Sequence, residues 1–269
     1  MRWRPRKKRL LFVTGATGFL GAHVVAASEE ADWELLAPAS RTLDVRERAR
    51  VLDEITSWTP NAIVHLAYRR DDRRAIVDGS RNIAEAAAAA GARLIHVSSD
   101  MVFAGRDAPY TEADTPDAQM NYGKWKAEAE AAVLAACPGA AVVRPSLLYG
   151  TDRLAPCQRD VDDVLAGRAR MSFFTDEYRN ATHAADVAEA LVALADRPEV
   201  HGPLHVAAPT AISRADLATA FARRLGSPGA VVPTSTLAES GLDRPGRVVL
   251  SVARAESLGL TCRDVHTAL

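Results

Sequence analysis

Two side chains placed four residues apart, Tyr122 and Lys126, have the types and the spacing that proton transfer requires. They lie at the start of a segment with a helical pattern, where residues four apart share one face. A phenol with a pKa of ~10 is a poor proton donor or acceptor at neutral pH. A neighbouring ammonium stabilises the phenolate and lowers that pKa, which suits the phenol to general acid–base catalysis. We interpret the pair in this way, although two unrelated surface side chains would leave the same pattern.

Two further polar segments follow predicted strands, at the ends where parallel sheets bind ligands. Ser99 comes after a predicted strand over 94–97, and its hydroxyl could orient a carbonyl oxygen. The same hydroxyl could instead cap a turn, and the sequence leaves both roles open. A charged loop that contains Arg69 follows the predicted strand over 62–67. It is interpreted either as a ligand contact or as a solvated run of charges.

A glycine-rich turn joins the first predicted strand, over 10–13, to a helical pattern. Gly15 can make the tight turn, Gly18 can let a pyrophosphate approach the backbone, and Gly21 can let the helix lie close to the strand. The N–H groups and the dipole at the helix start suit phosphate charge. The segment therefore predicts a dinucleotide site, and an ordinary strand–helix turn is the alternative.

The loop after the second predicted strand, over 34–37, bears on which dinucleotide binds. An acidic residue at this place holds the ribose 2′-hydroxyl of NAD, whereas an arginine accepts the 2′-phosphate of NADP. Here Arg41 lies in the loop, and no carboxylate occurs before Asp44. This pattern favours NADP(H), with Asp44 and Val45 at the edge of the adenine ring. A solvated Arg41 without a ligand is the alternative.

Strand and helix patterns alternate along the chain. Predicted strands cover 10–13, 34–37, 62–67, 94–97, 141–143 and 204–207, and predicted helices cover 46–58, 76–90, 122–136, 184–195 and 213–225. This alternation predicts an α/β fold with a doubly wound parallel (Rossmann) sheet and right-handed crossovers.

The regular alternation of strands and helices ends after residue 150, and this predicts two domains. Residues 1–150 with 181–207 are expected to form the dinucleotide-binding Rossmann domain. Residues 151–180 with 208–269 are expected to form a small C-terminal substrate-binding cap.

Composition narrows the classes of function. The chain has 269 residues, 48% of them hydrophobic, and a net charge of −1, so neither a nucleic acid nor a membrane is an expected partner. The basic residues before Leu10 are interpreted as a solvated arm. Three cysteines without paired spacing fit a reduced, cytoplasmic protein and argue against a metal site.

Together these motifs resemble the extended branch of the short-chain dehydrogenase/reductase superfamily, in particular its dTDP-4-dehydrorhamnose reductase-like (RmlD-like) group. Residues 14–21 resemble the T-G-x-x-G-x-x-G motif of the branch, and residues 98–105 resemble the S-[ST]-D-Y-V-F-x-G run of the group. Residues 144–150 resemble its R-x-x-x-x-Y-G segment. The resemblance implies that Ser99, Tyr122 and Lys126 form a catalytic triad.

The resemblance also implies a set of binding residues. The residues expected at the cofactor are Gly15, Thr17, Gly18, Phe19, Leu20, Gly21, Arg41, Asp44, Val45, Leu66, Ala67, Tyr122 and Lys126. The residues expected at the substrate are Arg69, Ser99, Asp100, Met101, Tyr122, Arg179 and Asn180. The chain departs from the group at Met101, where a tyrosine is usual, and at Arg247 and Ser251 in the C-terminal motif, so the sugar and the nucleotide stay open.

The leading hypothesis is an NADP(H)-dependent reductase of a keto group on a nucleotide-activated deoxysugar, with a homodimer left open. A second enzyme hypothesis is a sugar-nucleotide epimerase or dehydratase of the same superfamily; Arg41 and the short C-terminal part argue against it. A third is a non-catalytic, NADP-binding regulatory subunit that resembles the β subunit of methionine adenosyltransferase. That resemblance rests on the Ser98-Ser99-Asp100 run and on residues 65–70.

Overall fold

The computed structural model describes residues 9–269, and the basic arm of residues 1–8 lies outside the described residues. The chain divides into two units. The first contains the segment that ends at Val97, together with Glu128–Val142 and Leu191–Gly202; the second contains Ser98–Ala127, Val143–Ala190 and Pro203–Leu269. The domain boundaries expected from the sequence remain a prediction. Over residues 9–269, no helix combines the length and the apolar character that crossing a membrane requires.

The elements follow one another along the chain as strands and helices. The strands are β1 (Arg9–Thr14), β2 (Trp33–Leu36), β3 (Ala62–His65), β4 (Arg93–Val97), β5 (Ala141–Arg144), β6 (Leu148–Tyr149), β7 (Phe173–Phe174), β8 (Tyr178–Arg179), β9 (Thr182–His183), β10 (Gly202–His205), β11 (Ile212–Ser213), β12 (Thr234–Ser235) and β13 (Arg247–Val248). The helices are α1 (Phe19–Glu30), α2 (Arg48–Trp58), α3 (Gly79–Ala90), α4 (Asn121–Ala136), α5 (Pro156–Leu165), α6 (Ala184–Ala195), α7 (Arg214–Arg224), α8 (Leu237–Ser240), α9 (Ala253–Ser257) and α10 (Val265–Ala268).

The central sheet has six strands in the order β10-β5-β4-β3-β1-β2. The pairings of β1 with β2, β1 with β3 and β3 with β4 are parallel. The chain builds outward from β1 to β2 and then returns to β3 on the other side of β1, so the strand order reverses between β1 and β3. Open α/β sheets bind ligands beyond the strand ends at such a point. The doubly wound fold predicted from the sequence is confirmed.

The apolar core of the first unit explains why these segments form buried strands. Every residue of β3 is buried, and so are the last four residues of β1. Val51 and Ile55 of α2 and Ile83 of α3 belong to the same buried cluster. The alanines of α3 let it approach closely, because small side chains keep the helix near its neighbours.

The second unit has its own cluster, in which Phe103 stacks on Tyr110 with ring centroids 4.0 Å apart. Small sheets of two or three strands complete it, including one with the order β11-β8-β13. Asn180, fully buried, donates from its side-chain amide to Ala208 O at 2.8 Å and accepts from Leu250 N at 2.8 Å. These bonds join segments that are far apart in the sequence.

Several predicted elements differ from the observed ones at their ends. The predicted strand over 62–67 ends at His65, and the predicted helix over 76–90 begins with a π-helical turn at Arg74–Asp78. Helix α5 was not predicted, because Ala155 at its N-cap is a weak start signal. Its first turn is held instead by Gln158, whose side-chain oxygen accepts from Ala155 N at 3.0 Å.

Candidate active site

The glycine turn of the first unit is packed too tightly for side chains at two of its three glycines. Gly15 has a φ of +73°, and a Cβ there would lie 2.8 Å from Ala67 N. A Cβ at Gly21 would lie 2.2 Å from Gly15 O, so this glycine lets α1 lie against the turn. At Gly18 a Cβ would meet only Gly15 O, at 3.1 Å, which leaves space over this residue for a ligand.

The start of α1 has the features of an anion site. Gly18 is the N-cap residue, and no side chain caps this helix end. Thr17 is exposed beside it, and Phe19 and Leu20 form the first turn together with Gly21. Uncapped N–H groups at the positive end of a helix dipole bind phosphate. The open Gly18 and the uncapped helix therefore fit a pyrophosphate.

The ends of β1 and β3 are held together beside this turn by one hydroxyl. Thr14 Oγ1 accepts from Leu66 N at 3.2 Å and from Ala67 N at 3.3 Å. Thr14 is buried, whereas Leu66 and Ala67 are half-buried. The sequence pattern did not single out Thr14 as a site residue, although it opens the glycine motif.

In the loop after β2, Arg41 is exposed and Asp44 is hydrogen-bonded to Arg46. A turn closed by Thr42 N and Ala39 O, 2.8 Å apart, leaves the Arg41 side chain exposed. Both carboxylate oxygens of Asp44 accept from Arg46, with Oδ2 2.6 Å from Nη2. That hydrogen-bonded guanidinium holds the pKa of Asp44 below its usual range. Asp44 therefore has little capacity left for a ribose hydroxyl.

Val45 follows Asp44, and its buried side chain lies in the core of the first unit. A Cβ on Gly79 would lie 2.7 Å from Val45 Cγ2, and Val45 O accepts from the amide of Asn82 at 2.9 Å. These contacts give Val45 a packing role. Its contact with an adenine ring stays a prediction.

In the second unit, Ser99 is the N-cap residue of a short 3-10 turn, Asp100–Val102. Its Oγ accepts from Met101 N at 3.1 Å and donates to Asp100 Oδ1 at 3.0 Å. Asp100 is buried, and Ser99 is half-buried. The turn-capping hypothesis is therefore confirmed, and the orientation of a carbonyl oxygen by Ser99 stays a prediction.

Helix α4 begins against this turn. A Cβ on Gly123 would lie 1.9 Å from Met101 O, so only glycine lets the start of α4 come this close. Tyr122, which precedes this contact, is half-buried, and Lys126 is only 4% exposed, whereas Lys124 between them is exposed. Lysine is rarely buried unless its ammonium has a partner or a task. The packing brings the start of the Tyr122 helix next to the turn that carries Ser99.

A chain of alternating charges extends from Asp100. Arg179 Nε lies 3.8 Å from Asp100 Oδ2, Arg179 Nη2 lies 3.4 Å from Glu177 Oε1, and Arg244 Nη2 lies 3.0 Å from the same Glu177 oxygen. Arg179 also donates to Pro245 O at 2.8 Å. Burial raises the pKa of the Asp100 carboxyl and lowers that of the Arg179 guanidinium.

A family model described as the RmlD substrate binding domain matches residues 8–269. The chain belongs to the RmlD substrate-binding domain family. The resemblance drawn from the motifs at 14–21, 98–105 and 144–150 is thereby confirmed.

Relatives of this RmlD-family chain include a reductase and a subunit of a second enzyme. The dTDP-4-dehydrorhamnose reductase of Mycobacterium tuberculosis is 35% identical over 249 residues, which cover 86% of this chain and 80% of the relative. The methionine adenosyltransferase 2 subunit beta of Bos taurus is 33% identical over 277 residues, which cover 94% of this chain and 83% of the relative. The crystal structure of dTDP-4-dehydrorhamnose reductase from Bacillus anthracis in complex with NADP has a TM-score of 0.87 at 23% identity, covering 97% of this chain and 96% of that chain. This last similarity shows the shared fold.

The remaining predicted substrate residues of the RmlD-family chain are placed in different ways. Arg69 is exposed on the loop after β3, in the first unit. Arg179 and Asn180 are buried and engaged in hydrogen bonds within the second unit, whereas Met101 is half-buried. Their contacts with substrate stay predictions.

The sequence did not single out Glu177, although this buried carboxylate links Arg179 to Arg244. Glu177 lies just before β8, and no local motif marks it. Within residues 9–269, no group of three or more His, Cys, Asp or Glu side chains is placed to hold a metal ion.

Proposed function

We propose that this protein is an NADP(H)-dependent reductase of a keto group on a nucleotide-activated deoxysugar. The observation that carries the proposal is the close packing of the start of α4 against the turn at Met101. Gly123 lies against Met101 O, which sets Tyr122 and the buried Lys126 beside the turn that carries Ser99. The 35% identity to a dTDP-4-dehydrorhamnose reductase over most of both chains supports the same activity.

Each residue of the proposed triad has one task in ketone reduction. Tyr122 donates a proton to the carbonyl oxygen as it becomes an alcohol. Lys126 stabilises the phenolate that remains and binds ribose hydroxyls of the cofactor. Ser99 holds the carbonyl oxygen in place. NADPH, when bound, supplies the hydride.

The glycine turn and the loop after β2 are the parts that we propose to hold the cofactor. The open Gly18 and the uncapped start of α1 suit the pyrophosphate. The exposed Arg41 suits a 2′-phosphate, and the engagement of Asp44 by Arg46 disfavours the hydroxyl of NAD. These features support NADP(H) over NAD(H).

The proposed activity is tested by following NADPH oxidation in the presence of a panel of nucleotide-linked ketosugars, with dTDP-4-dehydrorhamnose included. Wild type should oxidise NADPH with at least one of them and yield the corresponding hydroxyl sugar. An epimerase would convert its substrate with no net oxidation of NADPH, so product analysis separates the two enzymes. Absence of oxidation with the whole panel would contradict the proposal.

A second function is favoured by the 33% identity to a methionine adenosyltransferase 2 subunit beta over 94% of this chain. In that case the protein would bind NADP(H) and serve a partner enzyme. Recovery of a stoichiometric methionine adenosyltransferase in a pull-down, with no turnover of any ketosugar, would favour it. Tyr122→Phe would then leave the partner's activity unchanged.

We also propose a cytoplasmic location, and a homodimer as the assembly. Cys137, Cys157 and Cys262 are free thiols, and burial raises the pKa of each, to about 12 for Cys262. Unpaired thiols are typical of proteins of the reducing cytoplasm. Cell fractionation tests the location, and light scattering of the purified protein tests the dimer.

A further inference from the structure

Asp100 lies among hydrogen-bond donors on both of its carboxylate oxygens. Ser99 Oγ donates to Oδ1 at 3.0 Å, and Ser146 Oγ donates to Oδ2 at 2.7 Å. Arg179 Nε faces Oδ2 from 3.8 Å. Asp100 is 4% exposed, so these groups take the place of water around it.

These bonds determine what Ser99 can offer to a ligand. A serine hydroxyl has one proton to donate and two lone pairs to accept with. In this arrangement the proton of Ser99 is given to Asp100, and one lone pair accepts from Met101 N at 3.1 Å. A carbonyl oxygen can only accept hydrogen bonds. Ser99 therefore has nothing to donate to a ketone while Asp100 is ionised.

We infer that Asp100 has to carry one proton before a keto group can bind, and that this proton turns Ser99 into a donor. The proton comes from solvent and sits on Oδ1, from which it is donated to Ser99 Oγ. The Ser99 hydroxyl is then released to donate to the carbonyl oxygen, and no covalent bond of the ligand changes. The inference rests on the proposed ketone reduction for its ligand. Asp100 acts as a positioning residue through Ser99.

The surroundings of Asp100 permit both protonation states. Ser146 can keep donating to Oδ2 in either state, because that oxygen remains an acceptor. Arg179 is the cation that faces Asp100, but Glu177 shares its charge at 3.4 Å, and Arg244 lies beyond Glu177. Arg179 also donates hydrogen bonds to Tyr178 O at 2.7 Å and to Pro245 O at 2.8 Å. Loss of the charge on Asp100 therefore breaks no hydrogen bond of Arg179.

The first test needs no nucleotide sugar. Infrared spectra of ligand-free wild type should contain the C=O band of a protonated buried carboxyl, and this band should persist above the pH range in which an aspartic acid of ordinary pKa ~3.9 loses its proton. The band should be missing in Asp100→Asn. Ser146→Ala should move its titration to higher pH, because a hydrogen bond to the carboxylate is lost. Absence of any such band in wild type above pH ~5 would overturn the inference.

The second test compares the pH dependence of KM for the ketosugar that proves active. In wild type, KM should rise by up to about tenfold per pH unit above the titration of Asp100, because only the protonated form offers the Ser99 donor. In Asp100→Asn, an amide N–H replaces the carboxyl O–H toward Ser99, so the pH dependence should vanish. At high pH this variant should bind the ketosugar more tightly than wild type does.

Two further variants separate this role from a merely structural one. Asp100→Leu has a side chain of similar size to aspartate but no group that can donate to Ser99. This variant should bind the ketosugar more weakly than wild type at every pH. Ser99→Ala should bind the ketosugar more weakly, and its KM should no longer depend on pH in this range. Equal pH profiles of KM in wild type and Asp100→Asn would overturn the inference. Failure of the proposed function is recognised separately, as absence of NADPH oxidation by wild type with every ketosugar, since the infrared titration is made on ligand-free protein.

Discussion

Thr14 Oγ1 lies 2.7 Å from His65 Nδ1, inside the first unit. The direction of this bond follows from its neighbours. Ser80 donates its only hydroxyl proton to Ile76 O at 2.5 Å, so at 3.2 Å it accepts from His65 Nε2. His65 Nδ1 then carries no proton and accepts from the Thr14 hydroxyl, and the Thr14 lone pairs accept from the N–H groups of Leu66 and Ala67. A chain of hydrogen bonds through Ser80, His65 and Thr14 thus holds the ends of β1 and β3 together.

Removal of the Thr14 hydroxyl should therefore weaken cofactor binding from a distance. Thr14→Val keeps the shape but removes the side-chain acceptor of Ala67 N–H and the hydroxyl donor to His65 Nδ1, whereas Leu66 N–H keeps its bond to Thr14 O at 3.2 Å. The lost hydrogen bonds should cost ~1–3 kcal/mol for a buried group. We expect NADPH affinity to fall by about tenfold, equivalent to ~1.4 kcal/mol. Thr14→Ser is the matched control and should bind NADPH as wild type does. Equal titration curves for Thr14→Val and wild type would refute this role.

Gly123→Ala should separate the start of α4 from the turn at Met101. The new Cβ would lie 1.9 Å from Met101 O, so one of the two must move. A displacement of ~1 Å at a catalytic group can cost ~10²-fold in rate. We expect kcat to fall on that scale in steady-state assays. Gly139→Ala is the control, since a Cβ there meets no atom within 4 Å; a similar loss in this control would point to a general effect on folding.

Tyr122→Phe removes a hydroxyl and keeps the ring. If Tyr122 donates the proton, turnover should fall by ~10²-fold or more, the usual contribution of a positioned acid. The NADPH dissociation constant should stay within about threefold, because the glycine turn is untouched. Steady-state kinetics and direct NADPH titration measure the two effects. A variant that turns over like wild type would remove Tyr122 from the mechanism.

The two lysines of α4 provide a matched pair. Lys126 is buried and is assigned two tasks, so Lys126→Met should weaken NADPH binding by about tenfold and lower turnover as well. Lys124 is exposed on the same helix, and Lys124→Met should change neither quantity. The assignment fails if the two variants behave alike.

We expect cofactor preference to depend on the loop after β2. Arg41→Ala should weaken NADPH binding by about tenfold and leave NADH binding nearly unchanged, because only NADPH carries a 2′-phosphate. Arg50→Ala, which removes an exposed arginine from α2, should alter neither affinity. Fluorescence titration with both dinucleotides gives the ratio. Equal affinities of wild type for NADPH and NADH would show that Arg41 does not select the cofactor.

Features that depend on neighbouring residues could be predicted from the sequence. Helix α6 occupies the predicted residues 184–195, since its apolar positions repeat without interruption. Ser213 caps α7, as expected of a serine before a helical pattern, and accepts from Asp216 N at 3.0 Å. The tight turn at Gly15 and the close packing at Gly21 were predicted for the same reason, because each follows from a short motif.

Features that depend on distant partners could not be predicted. Glu177 and Arg244 are 67 residues apart, and nothing local in either segment indicates their ion pair. Asp44 and Arg46 are near in sequence, but the hydrogen bonding of both Asp44 carboxylate oxygens by Arg46 depends on the geometry of the loop. The helical nature of α5 depends on Gln158, whose amide also binds Gly150 O at 2.8 Å.

The guanidinium of Arg93 bears on the order in which the chain can fold. It donates to the carbonyl oxygens of Leu194, Gly139 and Val200, three residues from two later segments of the first unit. These partners leave the ribosome long after Arg93 does. Domains fold as units during synthesis, and contacts between distant residues form slowly. The first unit is therefore expected to stay incomplete until about residue 202 has emerged, by which time most of the second unit has also been made.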